Sequence, residues 1–204
     1  MHIVDGVLST PVLVAGSAAT LAGVSLGLRQ LTLDRIPVAG MLSASFFVAS
    51  LINVPLGPSS VHLLLNGMAG MLLGWAAFPA MLVGLILQAA FFGFGGLTVL
   101  GVNAFNLAAP GVIAWLIFAP LVRRASPKTA AIWGGLGSAF AVTLTTVFVA
   151  MSLALSGDSF IAAAKLVLLA HLPLVLIEGV LTGFAVLLAR KVKPELFAAL
   201  KGRQ

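Results

Sequence analysis

Long apolar stretches recur along nearly the whole chain, and they constrain the fold more than any other feature. A membrane-spanning helix needs about 20 mostly apolar residues. Breaking the sequence at charges and at Pro/Gly clusters leaves seven such segments. They lie near residues 7–28, 36–52, 61–77, 79–96, 104–122, 129–154 and 160–189. Because 61% of the residues are hydrophobic and 8% are charged, we predict an all-α polytopic membrane protein, with residues 1–204 forming one transmembrane bundle.

The linker between the second and third predicted spans has a composition of its own. Residues 53–60 read Asn-Val-Pro-Leu-Gly-Pro-Ser-Ser, and two prolines and a glycine in eight positions exclude a continuous helix. Non-helical backbone is tolerated at membrane depth where it lines a cavity. We therefore expect this linker to dip into the bundle, and we expect Ser59 and Ser60 to cap the third helix.

The distribution of positive charge predicts the orientation of the chain. With seven spans and the N-terminus outside, ten of the eleven basic residues fall in inner segments, and only Lys165 does not. Cytoplasmic segments of membrane proteins carry this excess of Lys and Arg. We therefore expect an outer N-terminus, a basic cytoplasmic tail over residues 190–204 and a location in the bacterial plasma membrane. The net charge of +6 is then explained by membrane topology, without a nucleic-acid partner.

The N-terminal loop, residues 1–6, reads Met-His-Ile-Val-Asp-Gly and is a candidate metal chelate. The amine of Met1, the amide nitrogen of His2 and the imidazole Nδ1 of His2 can close two fused rings around one metal ion. A fourth nitrogen would complete a square plane, which suits Ni(II) or Cu(II). No secretory signal is evident, so we expect Met1 to be the mature terminus, with Asp5 anchoring the loop. A frayed terminus is the alternative interpretation.

Other polar residues gather in the outer half of the predicted bundle. His62 would open the third span, and His171 and Glu178 lie two turns apart in the seventh, on one helix face. Asn103 and Asn106 would lie on the connection between the fourth and fifth spans. Intramembrane polar groups are functional candidates by default. Hydrogen-bonded packing roles for His62 and Glu178 remain open at this point.

Missing motifs narrow the chemistry. The chain contains no cysteine, which leaves nitrogen and oxygen atoms as metal donors. It contains no G-x-x-x-x-G-K-[ST] phosphate loop and neither the H-E-x-x-H nor the G-x-S-x-G hydrolase motif. We therefore predict that the protein is not an enzyme and that it needs a partner to drive any transport.

Four segments together resemble the CbiM/NikM family, the substrate-binding membrane components of energy-coupling factor transporters for cobalt and nickel. These segments are MHIVDGVLS at residues 1–9, PSSVHLLLNG at 58–67, GGLTVLGVNAFN at 95–106 and HLPLVLIEGVLT at 171–182. The resemblance implies a six-helix substrate-binding bundle with one extra N-terminal helix, and an N-terminal loop that carries the ion.

The resemblance also implies a ligand set for a transported Ni²⁺ or Co²⁺ ion. The ligands would be the Met1 amine, the His2 amide and imidazole nitrogens, and the His62 imidazole. Asp5 with Ser9 resembles the nickel-type start of the family and slightly favours nickel. Val4 stands where the family usually has Pro or Met, at a position that is not a ligand. Supporting or coupling roles would fall to Asp5, Ser60, Asn103, Asn106, His171 and Glu178.

The partners implied by the resemblance are a transmembrane coupling subunit, two cytoplasmic ATPase subunits and often a small auxiliary membrane subunit. Two alternatives remain at this stage. One is a vitamin-binding subunit of the same transporter type. The other is an intramembrane metalloenzyme that uses His62, His171 and Glu178.

Overall fold

The computed structural model of the protein describes residues 2–56 and 58–198, and most of them are helical. The helices are α1 Thr10–Gln30, α2 Ile36–Ala49, α3 Asn66–Leu73, α4 Ala77–Phe92, α5 Leu100–Arg124, α6 Pro127–Ala154, α7 Ile161–Ala170, α8 Leu172–Val192 and α9 Glu195–Ala198. Strands β1 Val54–Leu56 and β2 Ser59–Val61 form one antiparallel hairpin. Single 3₁₀ turns cover Leu33–Arg35, Gly74–Ala76 and Asp158–Phe160.

Five segments in the described part of the chain are long and apolar enough to cross a membrane. They are Thr10–Gln30, Asn66–Phe92, Leu100–Arg124, Pro127–Ala154 and Asp158–Val192. The protein is therefore a multi-pass membrane protein. Helix α2 has 14 residues, a length of about 21 Å at 1.5 Å per residue, and α3 is shorter still. The count of seven spans stays a prediction.

Helices α3 and α4 run in opposite directions, although they lie in one apolar segment. His62 precedes α3 and Gln88 lies near the end of α4, yet both contact His2. The chain must therefore reverse between them. Gly74 sits at the reversal with φ of +59° and ψ of −129°, a conformation that glycine adopts without a steric penalty.

The bundle has two chemically different ends. At one end the start of α1 meets the end of α6, where the Ser9 backbone N–H donates to Ser156 Oγ at 3.1 Å. At the other end Arg190 donates to the carbonyl of Ala125 at 2.8 Å. The described basic residues of this second end are Arg29, Arg35, Arg123, Arg124, Lys128, Arg190, Lys191 and Lys193. These eight basic residues thus lie at the end opposite the histidines, and among the described basic residues only Lys165 of α7 does not. Lys201 and Arg203 fall outside the described residues.

Several predicted boundaries are wrong for local reasons. The described residues of the 53–60 linker are non-helical, as expected, but they contribute to a β-hairpin in which Pro55 pairs with Ser60. Ser59 and Ser60 therefore lie in β2 and cap no helix. Helix α3 begins only at Asn66, preceded by Leu65 in the left-handed region with φ of 53°. The predicted seventh span is interrupted at His171, where α7 ends and α8 begins.

Candidate metal site

The N-terminal loop is inserted into the histidine end of the bundle. His2 is 2% exposed and Ile3 is fully buried. The side chain of Asn103, in the first turn of α5, clamps Ile3 through two hydrogen bonds. Its Oδ1 accepts from the Ile3 N–H at 3.0 Å, and its Nδ2 donates to the Ile3 carbonyl at 3.0 Å. The frayed-terminus interpretation is therefore wrong for residues 2–5. Met1 lies outside the described residues.

Backbone hydrogen bonds extend this clamp to the next two residues. The N–H of Val4 donates to the carbonyl of Pro58 at 3.3 Å, next to the hairpin turn. The N–H of Asp5 donates to the carbonyl of Gly95 at 3.2 Å. The loop is thus bonded to the 93–99 connection on one side and to the linker before α3 on the other.

The carboxylate of Asp5 anchors the loop to the start of α5. Its Oδ1 accepts from the Thr98 N–H at 3.1 Å, the Thr98 hydroxyl at 2.5 Å and the Val99 N–H at 3.3 Å. A negative charge is favourable beside the free N–H groups of a helix N-terminus. Position 96 must be a glycine for Asp5 to bind here, because a Cβ on Gly96 would lie 2.1 Å from the Asp5 carboxylate.

One ring nitrogen of His2 makes a hydrogen bond, and the other has no hydrogen-bond partner among the described residues. His2 Nε2 lies 2.5 Å from Oε1 of Gln88, whose side chain is fully buried in α4. His2 Nδ1 is buried and has no hydrogen-bond partner among the described residues. Burial lowers the pKa of His2 to about 4, although the hydrogen bond to Gln88 opposes this shift. The ring is therefore neutral at pH 7, and Nδ1 is the nitrogen that a terminal chelate uses.

His62 lies directly beside His2. The two ring centroids are 4.8 Å apart with 28° between the ring planes, and His62 is 3% exposed. His62 stands in the loop between β2 and α3, rather than at the head of a helix as predicted. Its Nδ1 lies 2.7 Å from the carbonyl oxygen of Leu63, so Nδ1 carries the hydrogen and Nε2 carries the lone pair.

Glu178 holds the segment that carries His62. This residue of α8 is fully buried and faces the bundle interior, as its apolar flanks predict. Its carboxylate accepts hydrogen bonds from the backbone N–H groups of Leu64 and Leu65, the latter at 2.9 and 3.1 Å. A segment with a residue in the left-handed region cannot satisfy these donors by helical bonding, and the carboxylate satisfies them instead.

The remaining candidates take different positions. His171 is 1% exposed, and its Nδ1 lies 2.7 Å from the carbonyl oxygen of Val167. Asn106 lies within α5 rather than on the predicted connection, as does Asn103, and it donates to Ser152 of α6 at 3.1 Å. Ser60 lies in β2.

Side chains alone do not form a metal site in the described part of the chain. No group of three or more His, Cys, Asp or Glu residues there converges on one point. An enzyme based on His62, His171 and Glu178 would need such a group, whereas the Glu178 carboxylate is occupied by two backbone N–H groups. A site whose donors are backbone nitrogens and the two stacked imidazoles does not require three such side chains.

The sequence interpretation missed Gln88. An amide within the apolar helix Ala77–Phe92 is a signal in itself, because polar groups at membrane depth are rare and tend to face the bundle interior. What the sequence could not show is that this amide meets a histidine 86 residues away.

Comparison with known proteins gives consistent results. Residues 2–196 match the family model CbiM, described as the cobalt uptake substrate-specific transmembrane region. A Haemophilus influenzae protein named for metal transport is 40% identical over 198 residues, covering 96% of both chains. The cobalt transport protein CbiM of Sorangium cellulosum is 30% identical over 98% of this chain and 96% of its own length.

Two further comparisons concern nickel and the fold. The fused nickel transport protein NikMN of Rhodobacter capsulatus is 34% identical over 85% of this chain, and the match spans 53% of that longer protein. A crystal structure of a transition metal transporter aligns over 99% of this chain and 100% of its own length, with a TM-score of 0.77 and 24% identity. At that identity the likeness demonstrates the fold.

Substitution of Glu178 tests whether its carboxylate supports the His62 segment. Glu178→Leu removes the acceptor of both N–H groups, and leaving the buried N–H of Leu64 unpaired costs about 1–3 kcal/mol. We expect a lower melting temperature in detergent and faster hydrogen exchange at the Leu64 and Leu65 amides. Glu178→Gln is the matched control, since its side-chain carbonyl still accepts a hydrogen bond. Unchanged exchange in Glu178→Leu would contradict the assignment.

Proposed function

The chain belongs to the CbiM family of cobalt and nickel uptake components, and from this we propose that it captures Ni²⁺ or Co²⁺ through nitrogen atoms of Met1, His2 and His62. It is a substrate-specific component of a metal transporter and not an enzyme. Membership in a metal-transport family also sets aside a vitamin as the substrate.

The observation that carries the proposal is the state of the His2 imidazole. Its Nδ1 is buried with no hydrogen-bond partner among the described residues, its Nε2 contacts Gln88, and its ring stacks on His62. A buried nitrogen without a hydrogen bond lowers the free energy of unfolding, and coordination of a metal ion would remove this penalty. The Met1 amine, the His2 amide and the His2 Nδ1 are the three chelating donors, and His62 supplies the fourth nitrogen through Nε2. A square plane of four nitrogens suits Ni(II) or Cu(II), and of the two cargoes of the family, cobalt and nickel, it favours nickel, so we propose nickel as the preferred cargo.

The energy for transport must come from elsewhere, because the sequence has no phosphate loop. We propose that a membrane coupling subunit, two cytoplasmic ATPases and a small auxiliary membrane subunit complete an energy-coupling factor importer. The Rhodobacter relative supports additional components, since it is named as a fused protein and extends well beyond the part matched here.

The proposed topology has seven passes, in which the segment 62–73 and helix α4 count separately. The histidine end faces outside, and the basic end, with residues 190–204, faces the cytoplasm of a bacterial cell. Eight of the nine described basic residues lie at one end, all except Lys165, and this segregation supports the orientation. Residues 1–204 would act as one bundle, with residues 1–6 as the metal-binding loop and the ion entering at the histidine end.

Cysteine labelling in intact cells tests the orientation, because the chain has no cysteine of its own. Ser159 and Gln30 are exposed and lie at the histidine end and the basic end, respectively. A membrane-impermeant thiol reagent should label Ser159→Cys in intact cells and should label Gln30→Cys only after permeabilisation. The reverse pattern would place the metal site on the cytoplasmic side and refute the proposed direction of capture.

Extension of the N-terminus tests the amine donor. One residue added before Met1 converts its amine into an amide, which is a much poorer donor, and acetylation has the same electronic effect with less bulk. Helices α1 to α8 do not depend on this group, so the melting temperature should be unchanged. Calorimetric titration with Ni²⁺ should show binding for the native start and for a C-terminally tagged control, and none for the extended protein. Equal binding by the extended protein would refute the terminal-amine site.

Substitution of His62 tests the fourth donor. His62→Ala removes a proposed ligand but leaves the terminal chelate. The Ni²⁺ affinity should fall by well over the ~10–100-fold that is typical when a supporting residue is lost. His171→Ala is the comparison, and it should cost less because His171 would act on His62 rather than on the metal. Near-normal Ni²⁺ binding by His62→Ala would show that the fourth nitrogen comes from another residue.

A further inference from the structure

We propose that Gln88 is a positioning residue that sets the ring orientation and tautomer of His2 before a metal ion arrives. The inference rests on the proposed function, because it concerns the nitrogen that His2 offers to the metal. It adds a residue of α4 to a site otherwise built from the N-terminal loop and the His62 segment.

The orientation of the Gln88 amide is fixed by its own surroundings. Gln88 is fully buried, and its Nε2 faces the carbonyl oxygen of Phe46 at 3.5 Å. An NH₂ group donates and a carbonyl oxygen accepts, so the amide cannot be reversed without placing two acceptors, or two donors, against each other. The Oε1 atom of Gln88 therefore points to His2.

The Gln88 amide in turn determines the tautomer of the His2 ring. Oε1 can only accept, and it lies 2.5 Å from His2 Nε2. A neutral imidazole carries a single N–H, so that hydrogen must be on Nε2, and Nδ1 is left with its lone pair. The opposite tautomer would bring the Nε2 lone pair against the Oε1 lone pairs. A ring flip would instead remove Nδ1 from the side of the His2 backbone nitrogen, which the fused chelate requires.

The other two histidines are held in the opposite tautomer. Nδ1 of His62 faces the Leu63 carbonyl at 2.7 Å, and Nδ1 of His171 faces the Val167 carbonyl at 2.7 Å. Both therefore carry their hydrogen on Nδ1 and their lone pair on Nε2. Each imidazole is set by the hydrogen bond of its second nitrogen, as occurs around metal ligands in general. The two tautomers place the lone pair on Nδ1 in His2 and on Nε2 in His62, and these are the two imidazole nitrogens of the proposed site.

Nuclear magnetic resonance of the metal-free protein in detergent reads these states directly. With ¹³C,¹⁵N-labelled histidine, we expect one Nε2–H and two Nδ1–H tautomers, and a hydrogen-bonded Nε2–H proton signal from His2. Gln88→Leu removes the acceptor, so this proton signal should disappear through exchange with water. The His62 and His171 signals should keep their tautomers.

Calorimetric titration with Ni²⁺ then measures the consequence for binding. Gln88→Leu should weaken Ni²⁺ binding by about 10–100-fold. At saturating Ni²⁺ the visible absorption spectrum should match that of the wild type, because the four nitrogen donors are unchanged. Gln88→Glu keeps an acceptor at the same position and should bind close to the wild type. Thr182→Val is the matched control, since it removes a buried hydrogen bond to Ser138 away from the histidines.

Each alternative outcome is distinct. A wild-type His2 with its hydrogen on Nδ1 overturns the proposal even if no Gln88 variant folds. Wild-type Ni²⁺ affinity in Gln88→Leu also overturns it, and a changed saturated spectrum would make Gln88 a ligand instead of a positioning residue. If the wild-type protein itself binds neither Ni²⁺ nor Co²⁺, the proposed function fails, whatever the His2 tautomer is.

Discussion

Unpaired backbone groups inside an apolar bundle are the constraint on which the rest of this structure depends. Two irregular segments, residues 2–5 and 62–65, enter the histidine end of the bundle, and the parts of them around Ile3 and Leu64 are buried, away from water that could pair with their backbone groups. Side chains from distant helices do so instead. Asn103 pairs with both polar groups of Ile3, and Glu178 receives the N–H groups of Leu64 and Leu65. These bonds bring two histidines, 60 positions apart in the sequence, into ring contact.

The two segments contribute different donor atoms to the proposed site. The N-terminal loop contributes the chelating donors, and the segment before α3 contributes His62. In the proposed site, one metal ion therefore cross-links two pieces of chain that are anchored to different helices, α5 for the loop and α8 for the His62 segment. In the proposed importer, a displacement of α5 relative to α8 would separate these two anchors and so open the site.

The identity of the polar residues at the site was easier to predict from the sequence than their positions in the fold. His2, His62, His171 and Glu178 stood out because polar residues are scarce in so apolar a chain, and all four are buried at or beneath the same end of the bundle. The hairpin before α3 and the break at His171 were not predicted, since a short apolar run fits a strand or a helix equally well. Gln88 escaped notice because its role comes from one tertiary contact, which hydropathy does not reveal.

The sequence separation of these contacts determines when the site can exist. Ile3 must meet Asn103, and Leu64 must meet Glu178, at separations of 100 and 114 residues. During synthesis the first six residues emerge long before either helix that anchors the site. The N-terminal loop therefore has no residue to bind until α5 is in the membrane. His62 likewise has no fixed position until α8 has been inserted. A nascent or truncated chain would carry both histidines but could not bring them together, which delays assembly of the proposed four-nitrogen site until the subunit is essentially complete.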